Sequence, residues 1–282
     1  MSQLIGISRP ARRITARRSP TGSSPTASST VDGPSTSIRA RSDETAVEIE
    51  HDLSPTDLSD DTLVQALVSL VEAGDLSGRD EFESAFMAVV RSCGTEPALA
   101  WREFYRNSVA ELRGGRSSFS PVHLRARSLI AGSSVLEVGS CFGFLALQCA
   151  QDGHTVTALD IDPAALALLD DAAGDLGVPV TTTTGDARAL PFDSDSVDTV
   201  TLIHLLEHLC ADDVHAAISE ALRVARRRVI IAVPYEETPS PHFGHLQCLT
   251  EADLLRWAAP WSSNITGLFE DHGGWLVLDR TP

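Results

Sequence analysis

Lysine is absent from this sequence of 282 residues, in which all 22 basic side chains are arginine. Chemistry that depends on a lysine, such as Schiff-base formation or phosphate binding by a P-loop, is therefore excluded. Cysteine is scarce, with five residues and no C-x-x-C pair, so neither a disulfide framework nor a cysteine-rich zinc site is expected. We expect a reducing, cytoplasmic location. No run of 18 apolar residues occurs, so we expect no membrane-spanning helix.

Positive charge is also scarce outside the first part of the chain. The net charge is −17, yet residues 1–42 carry seven arginines and only one acidic residue. The rest of the chain carries 15 arginines and 38 acidic residues. Duplex nucleic acid is bound by clusters of basic residues that displace its counterions. An acidic body of this kind excludes a broad footprint on DNA, and we expect no nucleic-acid partner.

Composition divides the chain into three regions. Residues 1–50 are rich in Ser, Thr, Pro and Gly after a basic start, and we predict a disordered tail because too little apolar surface is available to offset the entropy of ordering. Residues 51–131 carry apolar residues at helical spacing, as at Leu63 and Leu67, and are predicted to form a helical cap. Such a cap could cover the ligand cleft of the third region, residues 132–282.

The third region alternates apolar runs typical of strands with segments typical of helices. This alternation predicts an α/β fold, in which a doubly wound, Rossmann-like sheet of seven mostly parallel strands follows the helical N-terminal cap. The predicted strands are Ser134–Val138, Thr155–Leu159, Val180–Thr184, Val197–Ile203, Arg228–Val233, Ile265–Phe269 and Trp275–Asp279.

A glycine-containing turn follows the first of these strands. Gly139 and Gly143 permit a tight turn and a close approach of the backbone to a ligand. The N–H groups at the start of the next helix then face the polar end of that ligand. Asp160 ends the second strand, 17 residues after Gly143, where an acid can accept hydrogen bonds from both hydroxyls of a ribose. The pattern predicts a ribose-containing cofactor.

Four further motifs follow in order: G-D-A at 185–187, L-P-F at 190–192, S-V-D at 196–198 and L-E-H-L at 206–209. Together with the glycine turn and the strand-ending acid, they resemble the class I S-adenosylmethionine-dependent methyltransferases that act on small molecules. The resemblance extends from about residue 135 to residue 233, roughly a third of the chain.

The resemblance implies S-adenosylmethionine as cofactor and a role for each matched position. Gly139 and Gly143 would cradle the methionine part, and Glu137 would help to hold its amino group. Asp160 would bind the ribose, and Asp186 would bind the adenine amino group. The complete set of predicted cofactor-binding residues is Glu137, Gly139, Ser140, Gly143, Asp160, Ile161, Asp186, Ala187 and His204.

Two positions of this set need comment. His204 is implied to line the floor of the site near the sulfonium. Cys141 stands where the family pattern has its middle glycine, so its side chain must point away from the cofactor or narrow the pocket.

Two other classes of protein share parts of these patterns. A nicotinamide-dependent Rossmann enzyme also uses glycines and a ribose acid, but residues 139–143 lack the G-x-G-x-x-G spacing that contacts pyrophosphate. His204, Glu207 and His208 match the H-x-x-E-H pattern of a zinc protease. That pattern follows a buried strand at the place of the methyltransferase L-E-H motif, so we predict no metal site and assign Glu207 and His208 to the substrate mouth.

Transfer of a methyl group to an alcohol needs a base, and histidine is the natural candidate because its pKa lies near the working pH. His208 follows the fourth strand, and His242 and His245 lie in the long loop after the fifth, at the carboxyl ends of the strands where ligands bind. We predict His208 or His245 as the catalytic base. The motif N/D-P-P-Y/F of nucleic-acid amino methyltransferases is replaced by His204-Leu205-Leu206.

A narrower resemblance concerns the acceptor. The helical N-terminal region, residues 118–123, the glycine turn, and residues 244–247 with 249–250 resemble the mycofactocin oligosaccharide methyltransferases of actinobacteria. This implies a sugar hydroxyl on a small-molecule or oligosaccharide substrate. The alternatives are a quinone, lipid or polyketide hydroxyl, or a module that binds the cofactor without catalysis.

Overall fold

The computed structural model of the protein describes residues 12–19 and 37–280. These residues belong to two compact units. Of the described residues, the first unit comprises those up to Phe104 together with Pro241–Gly244, and the second comprises Tyr105–Ser240 and those that follow Gly244. The division falls at Phe104, earlier than the expected boundary between residues 131 and 132.

The first unit contains a small sheet formed by β1 (Arg13–Arg18), β2 (Ile38–Ser42) and β3 (Ala46–His51). Strand β3 is central, parallel to β1 and antiparallel to β2. The prediction that residues 1–50 form a disordered tail is therefore wrong for these strands. Residues 1–11 and 20–36 of that predicted tail lie outside the described residues.

The alternation of buried apolar residues with glutamates along β3 explains why this sheet forms. Val47 and Ile49 are buried, whereas Glu48 and Glu50 alternate with them on the other face. Glu50 lies 3.5 Å from the guanidinium of Arg17 on β1 and 3.8 Å from that of Arg39 on β2. Opposite charges on neighbouring strands favour pairing. The composition of the whole tail conceals this short period-two pattern.

The helices that follow agree with the predicted apolar stripes. They are α1 (Asp60–Glu72), α2 (Gly78–Ser92), α3 (Pro97–Arg113) and α4 (Ser120–Leu129). The hydroxyl of Ser59 caps α1 by accepting a hydrogen bond from the backbone N–H of Thr62 at 3.3 Å. Leu63 and Leu67 of α1 are fully buried, as helical spacing predicts.

The second unit contains a seven-stranded sheet with the order β6-β5-β4-β7-β8-β10-β9. All neighbours are parallel except β10, which is antiparallel to both β8 and β9. The predicted α/β fold with a Rossmann-like, mostly parallel sheet is confirmed. The strands are β4 (Ser134–Val138), β5 (Thr155–Asp160), β6 (Val180–Thr184), β7 (Val197–Ile203), β8 (Ala225–Val233), β9 (Ile265–Glu270) and β10 (Gly274–Asp279).

The order of the strands in the sheet indicates the edge at which a ligand would bind. The chain runs outward from β4 to β6 and then returns to β7 on the other side of β4, so the strand order reverses between β4 and β7. Ligands of such sheets bind beyond the carboxyl ends of the strands at this reversal. The helices of this unit are α5 (Phe144–Gln151), α6 (Pro163–Leu176), α7 (Ala211–Val224) and α8 (Glu251–Ala258), with 3-10 helices at Leu206–His208 and Ala259–Asn264.

The carboxylate of Asp198 anchors the start of β4 to β7. Its Oδ2 accepts hydrogen bonds from the backbone N–H groups of Ser133 at 2.8 Å and Ser134 at 3.2 Å, and its Oδ1 lies 3.0 Å from Arg226. The backbone hydrogen bond from Ser133, with the others, lowers the pKa of Asp198 to about 2. Within residues 12–19 and 37–280, no helix is long and apolar enough to cross a membrane.

Candidate cofactor and acceptor site

The loop from Gly139 to Gly143 joins β4 to α5 through three left-handed residues. Gly139, Cys141 and Gly143 have φ angles of 75°, 49° and 69°. A Cβ on Gly139 would lie 2.7 Å from the Leu205 side chain, and one on Gly143 would clash with Leu169. Both positions therefore require glycine for conformation and for space.

Cys141 adopts the left-handed conformation although it carries a side chain, which costs about 1–2 kcal/mol. The side chain is exposed, so the departure from glycine leaves the loop intact. The backbone N–H of Cys141 donates a 2.7 Å hydrogen bond to Oδ2 of Asp160, which helps to offset that strain.

Asp160 thus braces the glycine loop. Its Oδ1 accepts a second hydrogen bond, of 2.9 Å, from the backbone N–H of Asp162, the N-cap of α6. An ionised carboxylate offers about four acceptor positions. Asp160 is half-buried at the carboxyl end of β5, so acceptor positions remain for ribose hydroxyls.

Glu137 and Ser140 form the buried end of the loop. Oε2 of Glu137 accepts a 2.8 Å hydrogen bond from the backbone N–H of Ala146 in the first turn of α5. Burial raises the pKa of Glu137 to about 8. The hydroxyl of Ser140 is buried without a hydrogen-bond partner in the described part of the chain. A ligand with a polar amino-acid end would provide that partner.

The carboxylate of Asp186, which was predicted to bind the adenine amino group, is instead bonded to an arginine. Asp186 is held by Arg188 through both carboxylate oxygens, at 2.9 and 2.6 Å, and Arg188 also contacts Asp213 at 3.2 Å. Ile161 is 70% exposed, and Ala187 packs against the edge of the core. The adenine contact of Asp186 stays a prediction, because the guanidinium of Arg188 occupies its carboxylate.

His204 lies just beyond the carboxyl end of β7 with a left-handed φ of 52°. Its ring packs against Phe119 with 4.8 Å between the centroids. Burial lowers the pKa of His204 to about 4, and the neighbouring His245 and His208 add to this effect. The imidazole is therefore neutral at pH 7, which suits a place near a positively charged sulfonium.

The 3-10 helix after His204 buries an acidic side chain. Glu207 is completely buried, and neither of its carboxylate oxygens has a hydrogen-bond partner among the described residues. Burial raises the pKa of Glu207 to about 8, and the charge of Glu236 adds to the rise. Nδ1 of His204 lies 3.5 Å from its Oε1.

Three hydrogen bonds to backbone carbonyls join the loop after β8 to this 3-10 helix. The N–H of Leu246 donates a 2.9 Å hydrogen bond to the carbonyl of Glu207. The side-chain amide of Gln247 donates to the carbonyls of Leu206 and Leu209 at 3.2 and 2.9 Å. His245 is thereby held next to residues that lie about 40 positions earlier in the chain.

His245 is oriented by a carboxylate. Its Nδ1 lies 2.7 Å from Oε2 of Glu236, which follows β8, and its Nε2 lies 4.0 Å from Oε1 of Glu207. The His208 and His245 rings meet with 5.0 Å between centroids. Burial of Glu236 would raise its pKa, but hydrogen bonds from His245 and Ser240 lower it below its usual range.

The structure brings the two predicted base candidates, His208 and His245, together. His242 belongs to the first unit, where its ring packs against Phe82 and Phe243. Sequence reasoning missed Glu236. Its place directly after β8, at the carboxyl edge of the sheet, is the one signal that could have found it.

The H-x-x-E-H pattern does not form the arrangement of a zinc protease. His204 has a left-handed φ, and the helix that follows is a single 3-10 turn at Leu206–His208. His204 and His208 are therefore not one turn apart on an α-helix, the placement that would let such a pattern share one metal ion.

Residues 136–233 match the sequence family described as Methyltransferase domain. These residues form a methyltransferase domain. The matched segment begins in β4 and ends with β8, so it contains the glycine loop and the turn that carries Glu207 and His208. No curated protein matches the sequence of this methyltransferase.

Solved structures resemble this methyltransferase in fold. A protein from Pyrococcus horikoshii is 14% identical, with 63% of this chain and 98% of that chain covered and a TM-score of 0.50. A magnesium protoporphyrin IX methyltransferase from Synechocystis, solved with bound SAH, is 19% identical over 72% and 98% of the two chains, with a TM-score of 0.48. A SAM-dependent methyltransferase from Aquifex aeolicus is 15% identical over 61% and 97%, with a TM-score of 0.46.

The loop residues fit S-adenosylmethionine, the cofactor that the sequence resemblance implies. The buried Ser140 hydroxyl and the buried Glu137 carboxylate, both at the N-terminus of α5, fit the amino-acid end of that molecule. When bound, the cofactor supplies a methyl group on a positively charged sulfur. The glycine loop, the neutral His204 and the side chains of Glu207, His208, Glu236 and His245 lie at the carboxyl ends of the strands, where such a cofactor would bind.

Proposed function

We propose that this methyltransferase is an O-methyltransferase that acts on a sugar hydroxyl. The observation that carries the proposal is the contact between His245 and Glu236 beside His208, directly beyond the strands that flank the cofactor loop. An alcohol is a weak nucleophile, so its methylation needs a group that removes its proton.

His245 is the better base of the two histidines. Its Nδ1 bonds to Glu236, so Nε2 is the nitrogen that would accept a proton, and the carboxylate would stabilise the imidazolium that results. His208 lies against the His245 ring and would position the acceptor. The cofactor roles of Glu137, Gly139, Ser140, Gly143, Asp160, Ile161, Asp186, Ala187 and His204 are part of the same proposal.

Two features support a sugar as the acceptor. The site contains groups that hydrogen-bond to hydroxyls, including His208, His245 and Glu236. The motifs at 118–123 and 244–247 resemble those of mycofactocin oligosaccharide methyltransferases, and Phe119 of the first motif contacts His204. An oligoglucosyl chain of that redox cofactor is the specific acceptor that we propose.

The first experiment is calorimetric titration of the purified protein with S-adenosylmethionine and S-adenosylhomocysteine. The second incubates the protein and cofactor with glucosylated metabolites, and in parallel with quinones, lipids and polyketide phenols, and detects methylated product by mass spectrometry. Methylation of the glucosylated compounds alone supports the proposal. Methylation of phenols or quinones alone contradicts it, and cofactor binding without any product would indicate a non-catalytic binding module.

A further inference from the structure

Three side chains at the carboxyl edge of the sheet have the geometry of a metal site. One carboxylate oxygen of Glu207 and one ring nitrogen each from His208 and His245 lie within 4.8 Å of one another. This set replaces His204 of the sequence pattern with His245, which comes from a different loop. Sequence reasoning predicted no metal site, and it could not associate these side chains because His245 is 37 residues from His208.

Glu207 offers a metal ion a buried carboxyl group that has no hydrogen-bond partner within the described part of the chain. The side chain is 0% exposed, and both carboxylate oxygens lack a hydrogen-bond partner in the described residues. Burying a carboxylate without compensation is costly, so buried acids are paired or coordinate metals. No arginine contacts Glu207 within the described chain, whereas imidazole nitrogens of His204 and His245 lie 3.5 and 4.0 Å from its Oε1.

His245 has the surroundings of a metal ligand. Its Nδ1 is bonded to Glu236 at 2.7 Å, and this contact turns Nε2 toward Glu207. Histidines that bind metals commonly donate a hydrogen bond from their second ring nitrogen to a carboxylate, which fixes the orientation of the ring and raises its basicity. Glu236 is itself fixed by a 2.8 Å hydrogen bond from the hydroxyl of Ser240. The hydrogen bonds that would orient a metal-binding His245 are therefore present.

We infer that Glu207, His208 and His245 bind one divalent transition-metal ion of the zinc class. Two imidazoles and one carboxylate suit Zn²⁺ or Co²⁺, whereas Mg²⁺ and Ca²⁺ prefer oxygen ligands alone. Three protein ligands leave a fourth position open, as in catalytic rather than structural zinc sites. The open position would receive a ligand from solvent or from the substrate.

The consequence for catalysis rests on the proposed function, although binding of the ion does not. An ion in this site would bind the acceptor hydroxyl and lower its pKa, so that the proton leaves to water while His208 and His245 act as ligands. Without the ion, His245 would act as the base itself. The two modes differ in their response to chelators.

The test uses the full chain, freed of metal by dialysis against a chelator and titrated with Co²⁺ alone. We expect one equivalent to bind, with the visible absorption of a four- or five-coordinate Co²⁺ ion and displacement by Zn²⁺. His208→Ala and His245→Ala should each weaken binding by more than 100-fold. Glu236→Gln should weaken it about 10- to 100-fold, because it changes only the outer shell.

His272→Ala is the matched control, because this histidine is exposed and pairs with Asp271 in the turn between β9 and β10. It should bind Co²⁺ like the wild type. Glu207→Gln keeps the volume of the buried side chain and should abolish binding, and circular dichroism would verify that the variant is folded. Absence of stoichiometric binding, or binding that survives in both histidine variants, would overturn the inference.

Cofactor binding and methyl transfer, measured on the same preparations, separate this inference from the proposed function. Co²⁺ binding that depends on the two histidines, without methylation of any sugar, supports the metal site and contradicts the proposed acceptor. Methylation that proceeds at full rate in chelator, with no Co²⁺ binding, contradicts the metal site and supports His245 as the base.

Discussion

Replacement of Asp160 by alanine tests the cofactor loop most directly. The carboxylate accepts hydrogen bonds from the backbone N–H groups of Cys141 and Asp162 at 2.7 and 2.9 Å. Each hydrogen bond to a charged group contributes about 1.5–3 kcal/mol, and water can replace part of this at a half-buried position. We expect Asp160→Ala to lower the free energy of unfolding of the cofactor-free protein by about 1–3 kcal/mol.

The same substitution should weaken S-adenosylmethionine binding, because the ribose hydroxyls lose their acceptor and Cys141 loses the brace on its strained backbone. A loss of about 1–3 kcal/mol corresponds to a roughly 5- to 150-fold increase in Kd. Urea denaturation would measure the first effect, and calorimetric titration the second. Asp160→Asn keeps one acceptor oxygen and should fall between the wild type and Asp160→Ala in both assays.

Asp170→Ala is the control, since Asp170 is an acid of the next helix that bonds to the hydroxyl of Thr182 at 2.9 Å and lies outside the predicted site. It should leave Kd unchanged. If Asp160→Ala binds the cofactor as tightly as the wild type does, the ribose role is misassigned. If it also unfolds at the same urea concentration, the bracing role is wrong as well.

Three further predictions concern stability and turnover. His245→Ala should lower kcat at least 100-fold while Kd for S-adenosylmethionine stays within about twofold, with His272→Ala as control; a full-rate variant would remove His245 from the mechanism. Cys141→Gly should raise the free energy of unfolding by up to about 1 kcal/mol, because relief of left-handed strain exceeds the added chain entropy of glycine; a loss measured in urea would contradict this. Asp198→Asn should lower the free energy of unfolding at pH 7. Since the folded-state pKa of Asp198 is lowered to about 2, its contribution is present above the unfolded value of 3.8 and is lost as the pH falls through 2, so the wild-type and variant curves should converge there.

The central strands of the methyltransferase domain could be predicted from the sequence because buried parallel strands are rich in apolar residues, as in Ser134–Val138 and Val197–Ile203. The edge strand Val180–Thr184 is only partly buried and could be predicted because all five of its residues are β-branched. All three strands have the same limits in the structure as in the prediction. The small sheet of the first unit escaped prediction because its strands pair across segments of unlike composition. Only the alternation of Val47 and Ile49 with glutamates signals it.

The turn from Gly139 to Gly143 could be predicted because its residues are consecutive and glycine favours a tight turn between a strand and a helix. The cluster around Glu207 could not. Its formation depends on the hydrogen bond from the Leu246 N–H to the Glu207 carbonyl, and no local pattern specifies which loop pairs with which turn. The bonding of Asp186 to Arg188, two residues later, also depends on rotamers that a motif does not encode.

The position of β10 has a consequence for how the protein is made. This strand is inserted between β8 and β9, and pairs Leu276 with Ile231 of β8. While a ribosome is still synthesising the chain, β8 therefore presents the apolar residues Val229–Val233 along an open edge until β10 emerges. Such an edge is a template for intermolecular pairing. Chains interrupted before Gly274 should aggregate, and a chaperone that shields β8 should raise the yield of folded enzyme.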